Sequence, residues 1–110
     1  MDAQSKLYVI VRADMPPGCQ ASQLAHAAQE FCFAHPALAQ TWREVSNRIA
    51  LLAAPDVAAL EALALRAGDH GVALAMFRDP DEAPELTALA LAPGDVARKL
   101  CRKLPLALAA

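Results

Sequence analysis

The sequence predicts an α/β fold, a three-layer α/β/α sandwich around a four-stranded mixed sheet. Three observations lead there. Short aliphatic runs alternate with segments of helical periodicity, the connections fall at proline, glycine and aspartate clusters, and the apolar fraction of 56% is dominated by alanine and leucine, which suit helices packed on a sheet. The 110 residues are expected to form one domain, 1–110, with enough length for a single core.

Leu7–Val11 is a non-alternating run, as expected of a central strand covered on both faces. Pro16-Pro17-Gly18 breaks it, and a helix is expected from Cys19 to Phe33 with Ala21, Leu24, Ala28 and Phe31 as its apolar stripe. His35-Pro36 ends that helix, because the residue before a proline avoids helical backbone, and a shorter helix over Ala37–Glu44 follows. Asn47–Ala53 reads as the second strand. Pro55-Asp56 opens a third helix, with Val57, Leu60, Leu63 and Ala64 facing inward and Gly68 as its expected C-terminal cap. Val72–Phe77 is the third strand, Arg78–Glu85 a loop, Leu86–Leu91 the fourth strand, and Pro93-Gly94-Asp95 opens a last helix running to about Lys103. The order β-α-α-β-α-β-β-α implies three largely parallel strands, with an antiparallel pair or short hop between the last two.

The net charge is −2, whereas a protein gripping nucleic acid by its phosphates alone is usually basic. Such contact would need a local patch, for which Arg98, Lys99, Arg102 and Lys103 are the candidate; the same residues also read as a solvated helix face with cations near its negative end. Cys19, Cys32 and Cys101 are widely spaced and form no CxxC, which argues against a disulfide framework or a zinc site. There is no apolar run near ~18 residues and no charged leader with an apolar core. A soluble protein in a reducing cytoplasm, with no membrane contact, is the expectation.

Open α/β sheets bind ligands beyond the carboxyl ends of their strands, here at Asp14–Gly18, Ala53–Asp56 and Arg78–Glu85. Gly18 precedes a helix N-terminus, whose free N–H groups favour an anion. Cys19, Gln23, His26 and Glu30 share one stripe of that helix. Cys19 at the helix start could have a lowered pKa and act as a nucleophile, but His26, seven residues on, lies about 10 Å along the axis, too far for a direct pair; His35 and His70 are the other histidines. Plainer roles exist for each residue. His26 could sit bonded to a carbonyl at the helix–sheet boundary, Asp79 before Pro80 is a common turn starter, Thr87 is an ordinary strand residue, and Trp42 with Arg43 would cover a core edge, base stacking on Trp42 being the other use.

V-I-V-R-A-D, a short glycine-containing loop and A-S-Q-L-A-H-A-A, followed by F-R-D at 77–79 and T-A-L-A-L-A-P at 87–93, together resemble the type II peptidyl-tRNA hydrolase family in order and spacing from Lys6 to about Leu106. The resemblance implies that family's fold and a metal-free, cofactor-free attack of water on the ester that joins a peptide to the 3′ end of tRNA. His26, Asp79 and Thr87 match family positions read as catalytic. Arg12, Asp14, Gly18, Cys19 and Gln23 match positions expected to bind substrate. A neutral His26 or ionised Asp79 could deprotonate or orient the water. Thr87 and the N–H groups near Gly18 could donate to the oxyanion. The peptidyl-tRNA 3′ end is the implied partner, and the family implies a possible homodimer.

The sequence departs from the family's pattern in several places: the loop before Cys19 is about two residues shorter, and the loop after Asp79 is shorter and lacks the family's T-E-[IL] segment. Cys19 stands where the family has a lysine, Pro16-Pro17 where lysines are usual, and Glu85 where a threonine is expected. A lost ammonium and an added carboxylate both work against a polyanion. They leave open a rival function: a non-catalytic relative whose cleft binds a nucleotide, a tRNA end or a protein.

Overall fold

Eight elements follow one another in the predicted order across residues 1–81 and 84–109, which the computed structural model describes. They are β1 (Lys6–Arg12), α1 (Pro17–Ala34), α2 (Pro36–Val45), β2 (Arg48–Ala54), α3 (Val57–Asp69), β3 (Leu74–Phe77), β4 (Ala88–Leu91) and α4 (Asp95–Cys101). The strand order is β2-β1-β4-β3. β1 pairs parallel to β2, and β4 is antiparallel to both β1 and β3. The first three strands therefore share one direction, and β4 runs against them between β1 and β3.

Alternation along β1 sorts the core into two layers. Leu7, Val9 and Val11 pack with Leu24, Ala27 and Phe31 of α1 and with Ala39 and Trp42 of α2. Tyr8 and Ile10 pack with Leu60, Leu63 and Ala67 of α3 and with Ala97 and Cys101 of α4. Leu7–Val11 are all buried, as a central strand requires. Trp42 belongs to the core and its indole N–H donates to the Arg48 carbonyl at 2.8 Å, so it offers no face for base stacking. Phe31, fully buried at the centre of the α1 layer, is expected to cost about 3–5 kcal/mol on truncation to alanine; chemical denaturation measures it.

Several boundaries differ from the sequence expectation. Gly68 is not the cap of α3. The helix continues to Asp69, and Gly71, at φ +74°, makes the left-handed turn, with Gly71 N–H bonded to Gly68 C=O and Val72 N–H to Ala67 C=O. α1 starts two residues before its expected start, since Pro17 fits the first helical turn. α4 stops at Cys101, before Arg102 and Lys103, and residues 105–107 cross back to cover the outer edge of β2 through Ala53 N–H to Pro105 C=O and Ala107 N–H to Leu51 C=O. Within the expected 78–85 loop, Glu82 and Ala83 lie outside the described residues. No helix among the described residues is long and apolar enough to cross a membrane.

Candidate active site

The site is built on a break in the β3–β4 ladder. Phe77 pairs with Ala88, yet its carbonyl also accepts the Thr87 N–H at 3.0 Å, so two residues of β4's approach face one of β3. This is the arrangement of a β-bulge, which re-aims side chains. Regular alternation from Leu91 and Leu89 would send Thr87 toward α3. The bulge turns it toward α1 instead, where it is fully buried and its Oγ1 lies 2.8 Å from Gln23 Oε1.

A relay follows from this contact. Gln23, itself buried on α1, donates from Nε2 to Asp79 Oδ2 at 2.6 Å. Asp79 Oδ1 accepts the Asp81 N–H at 2.9 Å, the side-chain turn expected of Asp before Pro. A carboxylate only accepts, so the Gln23 amide must turn its NH₂ toward Asp79 and its oxygen toward Thr87, whose hydroxyl donates. The hydrogen bond from Gln23, reinforced by the one from Asp81 and by nearby His26, lowers the Asp79 pKa below its usual value. His26 is exposed one turn along α1 and lies flat on Phe77, with ring centres 4.6 Å apart and planes 13° apart.

The predicted site residues divide between the two faces of the sheet. Gln23, His26, Asp79 and Thr87 meet on the α1 face. Arg12 follows Tyr8 and Ile10 in alternation and points to the α3 face. There it holds Asp14 through two parallel bonds of 3.0 Å and Glu85 through one of 2.7 Å, so one cation faces two carboxylates. The pairing with Asp14 dominates in raising the Arg12 pKa, and Arg12 in turn lowers that of Asp14. Gly18 and Cys19 lie in the first turn of α1, and Cys19 is exposed. A Cβ at Gly18 would meet nothing within 4 Å, so the fold does not require glycine there. The N-cap, Pro16, makes no side-chain bond, which leaves the Gly18 and Cys19 N–H groups free at the helix end. By helix rise they stand about 10–12 Å from His26 along the axis.

Sequence reasoning missed three supports. Phe77 is the platform for His26; its signal was the alternation that carries Ala75, Phe77 and Asp79 to one face. Gln20 is buried and ties down the first loop by donating to Met15 C=O at 2.7 Å. Arg78 fixes the other loop between Glu61 and the Pro84 carbonyl. Among the described residues no cluster of three His, Cys, Asp or Glu side chains could hold a metal ion.

Comparison with known proteins bears on this geometry. A family model described as Peptidyl-tRNA hydrolase PTH2 matches residues 5–107. A solved structure of a protein of unknown function from Agrobacterium tumefaciens strain C58 superposes with a TM-score of 0.68 at 17% identity, over 96% of this chain and 98% of that one. At that identity the likeness speaks for the fold. Among curated proteins none matches significantly.

Proposed function

We propose, from the premise that this chain belongs to the peptidyl-tRNA hydrolase PTH2 family, that it hydrolyses the ester joining a peptidyl group to the 3′ end of tRNA. The observation that carries this reading is the Thr87–Gln23–Asp79 relay, which runs from two buried side chains to a half-exposed carboxylate beside the exposed His26. A polar chain of this kind holds a carboxylate in one place and one charge state. The lowered pKa that the Gln23 bond gives Asp79 makes it a poor proton acceptor but a good anion to orient a water and stabilise an imidazolium. His26 is then the base. It takes the proton of a water whose oxygen attacks the ester carbonyl carbon. The bond from carbon to the ribose 3′ oxygen breaks, and the imidazolium returns the proton to that oxygen. Thr87 acts through Gln23, since its hydroxyl proton is engaged there. The second Nε2 hydrogen of Gln23 is left for the carbonyl oxygen. The free N–H groups of Gly18 and Cys19 are too distant for that oxygen and suit a phosphate of the tRNA end.

A second reading, that the cleft binds a nucleotide, tRNA end or protein without turnover, is favoured by two observations: Cys19 replaces the family's lysine, and Arg12 is already neutralised by Asp14 and Glu85. Incubation with an N-blocked aminoacyl-tRNA separates the two. Wild-type turnover that falls by about 10²-fold or more in His26→Ala supports hydrolysis. No turnover at high enzyme concentration, with activity appearing in Cys19→Lys, supports the second reading and defeats the first.

A further inference from the structure

We propose that the cavity beside the first residues of β1 binds a small phosphate monoester, with Tyr8, Lys6 and Arg98 as its donors. The proposal stands apart from the hydrolase reading. Lys6 and Tyr8 begin the strand that Arg12 ends, and they share the α3 face, whereas Gln23, His26, Asp79 and Thr87 meet on the α1 face at the other end of the sheet. The cavity measures about 320 Å³ and lies between the N-terminal segment, the start of β1 and the start of α4. That volume falls at the lower end of the range for small-molecule sites and exceeds what a bare ion fills.

Tyr8 carries the inference. Its side chain belongs to the core and is only 9% exposed. Its hydroxyl has no hydrogen-bond partner among the described residues, yet no fully buried side-chain oxygen or nitrogen among them lacks one. The hydroxyl therefore opens onto the cavity that Tyr8 lines. A tyrosine buried to this degree ordinarily has a partner for its hydroxyl. Packing against Ile10 and Leu91 would be served equally by phenylalanine. Burial raises the Tyr8 pKa, so the hydroxyl keeps its proton and can donate it to a hydrogen bond.

The neighbouring charges select an anion. Lys6 stands on the same face, about 7 Å along the strand by its rise per residue, and Arg98 reaches the cavity from α4. The ion pairs among the described residues do not engage Lys6, and Arg98 has only Asp95, at 3.7 Å, beyond hydrogen-bond distance. Two carboxylates also border the cavity. Asp2 is committed to the Gln4 N–H at 2.8 Å and to the Ser5 hydroxyl. The Asp95 side chain is 85% exposed, where water screens its charge. A phenol, an ammonium and a guanidinium thus line one cavity from two elements. A carboxylate offers two oxygens in a plane, whereas a phosphate monoester offers three terminal oxygens, one for each donor. The space beside Gln4 and Ser5 is left for a polar organic part.

Isothermal titration calorimetry with ribose 5-phosphate, inorganic phosphate and acetate tests the site. Wild type is expected to bind ribose 5-phosphate most tightly and acetate least. Tyr8→Phe should weaken ribose 5-phosphate binding by about tenfold or more. It should not lower Tm, because the hydroxyl it removes has no partner in the fold, and it should leave turnover of an N-blocked aminoacyl-tRNA unchanged. Lys6→Met and Arg98→Gln should each weaken binding as well. No saturable binding of any probe up to about 10 mM overturns the proposal. So does binding weakened by Lys6→Met and Arg98→Gln but indifferent to Tyr8→Phe, which is diffuse attraction of an anion to a basic surface. Binding lost in His26→Ala and kept in Tyr8→Phe places the ligand in the candidate active site and overturns it too. Acetate bound as tightly as ribose 5-phosphate defeats the choice of phosphate, and inorganic phosphate bound as tightly defeats the monoester.

Discussion

Asp79→Asn is expected to lower turnover of an N-blocked aminoacyl-tRNA by about 10²-fold or more while leaving the fold intact. The substitution keeps the shape of the side chain and one of its acceptor oxygens, so Gln23 or the Asp81 N–H retains a partner. What is lost is the negative charge beside His26, and with it the stabilisation of the imidazolium that forms as water is deprotonated. The effect should fall on kcat more than on KM, because the charge matters most once the proton has moved. The pH dependence has a definite sign. The Asp79 pKa is lowered in the folded protein, chiefly by the Gln23 bond. Its contribution to stability is therefore present above the unfolded value and is lost as the pH falls through the lowered folded value. An acid limb due to Asp79 accordingly lies below the ordinary carboxylate value of 3.8 and should move up in Gln23→Leu. Chemical denaturation of wild type and Gln23→Leu across the acid range checks this, with Asp79→Asn as the variant that lacks the limb. An Asp79→Asn enzyme with wild-type kcat would remove Asp79 from the reaction.

The sheet and the α1 end of the site were legible because both depend on local periodicity. The run Leu7–Val11 reports burial on two faces, the proline and glycine breaks report the connections, and Gln23 and His26 fall on one side of a helix by spacing alone. What could not be read depends on contacts between distant segments. Nothing in T-A-L-A-L-A-P signals that a bulge turns Thr87 from the α3 layer to the α1 layer, because the extra residue exists only relative to Phe77 on the partner strand. The separation of Arg12 from the Gln23 group was in principle readable, since Arg12 lies two residues beyond Ile10 and so shares its face. Position at a strand exit does not by itself specify which face of the sheet a side chain takes. The tail over β2 escaped prediction for another reason: residues 105–107 make an edge contact through backbone groups, which leave no side-chain pattern.

Gln23→Leu should cost nearly as much activity as loss of Asp79 itself, though Gln23 need not exchange a proton with anything. The amide is the only described link between buried Thr87 and the half-exposed Asp79, and its orientation is set from both ends. Leucine fills a similar volume but leaves Asp79 held by the Asp81 N–H alone. It also leaves the Thr87 hydroxyl with the Phe77 carbonyl, 3.0 Å away, so that group stays satisfied and the fold should lose only about 1–3 kcal/mol. Thr87→Val acts at the other end. It removes the donor that holds the Gln23 oxygen and frees the amide to rotate, which should cost less activity than Gln23→Leu. The double variant Gln23→Leu/Thr87→Val distinguishes a relay from two separate supports. Residues that act as a unit are non-additive, so the double variant should be hardly slower than Gln23→Leu alone. Costs that simply add would mean that Thr87 reaches the substrate by a route not through Gln23, and that its hydroxyl leaves the position seen in this fold during the reaction.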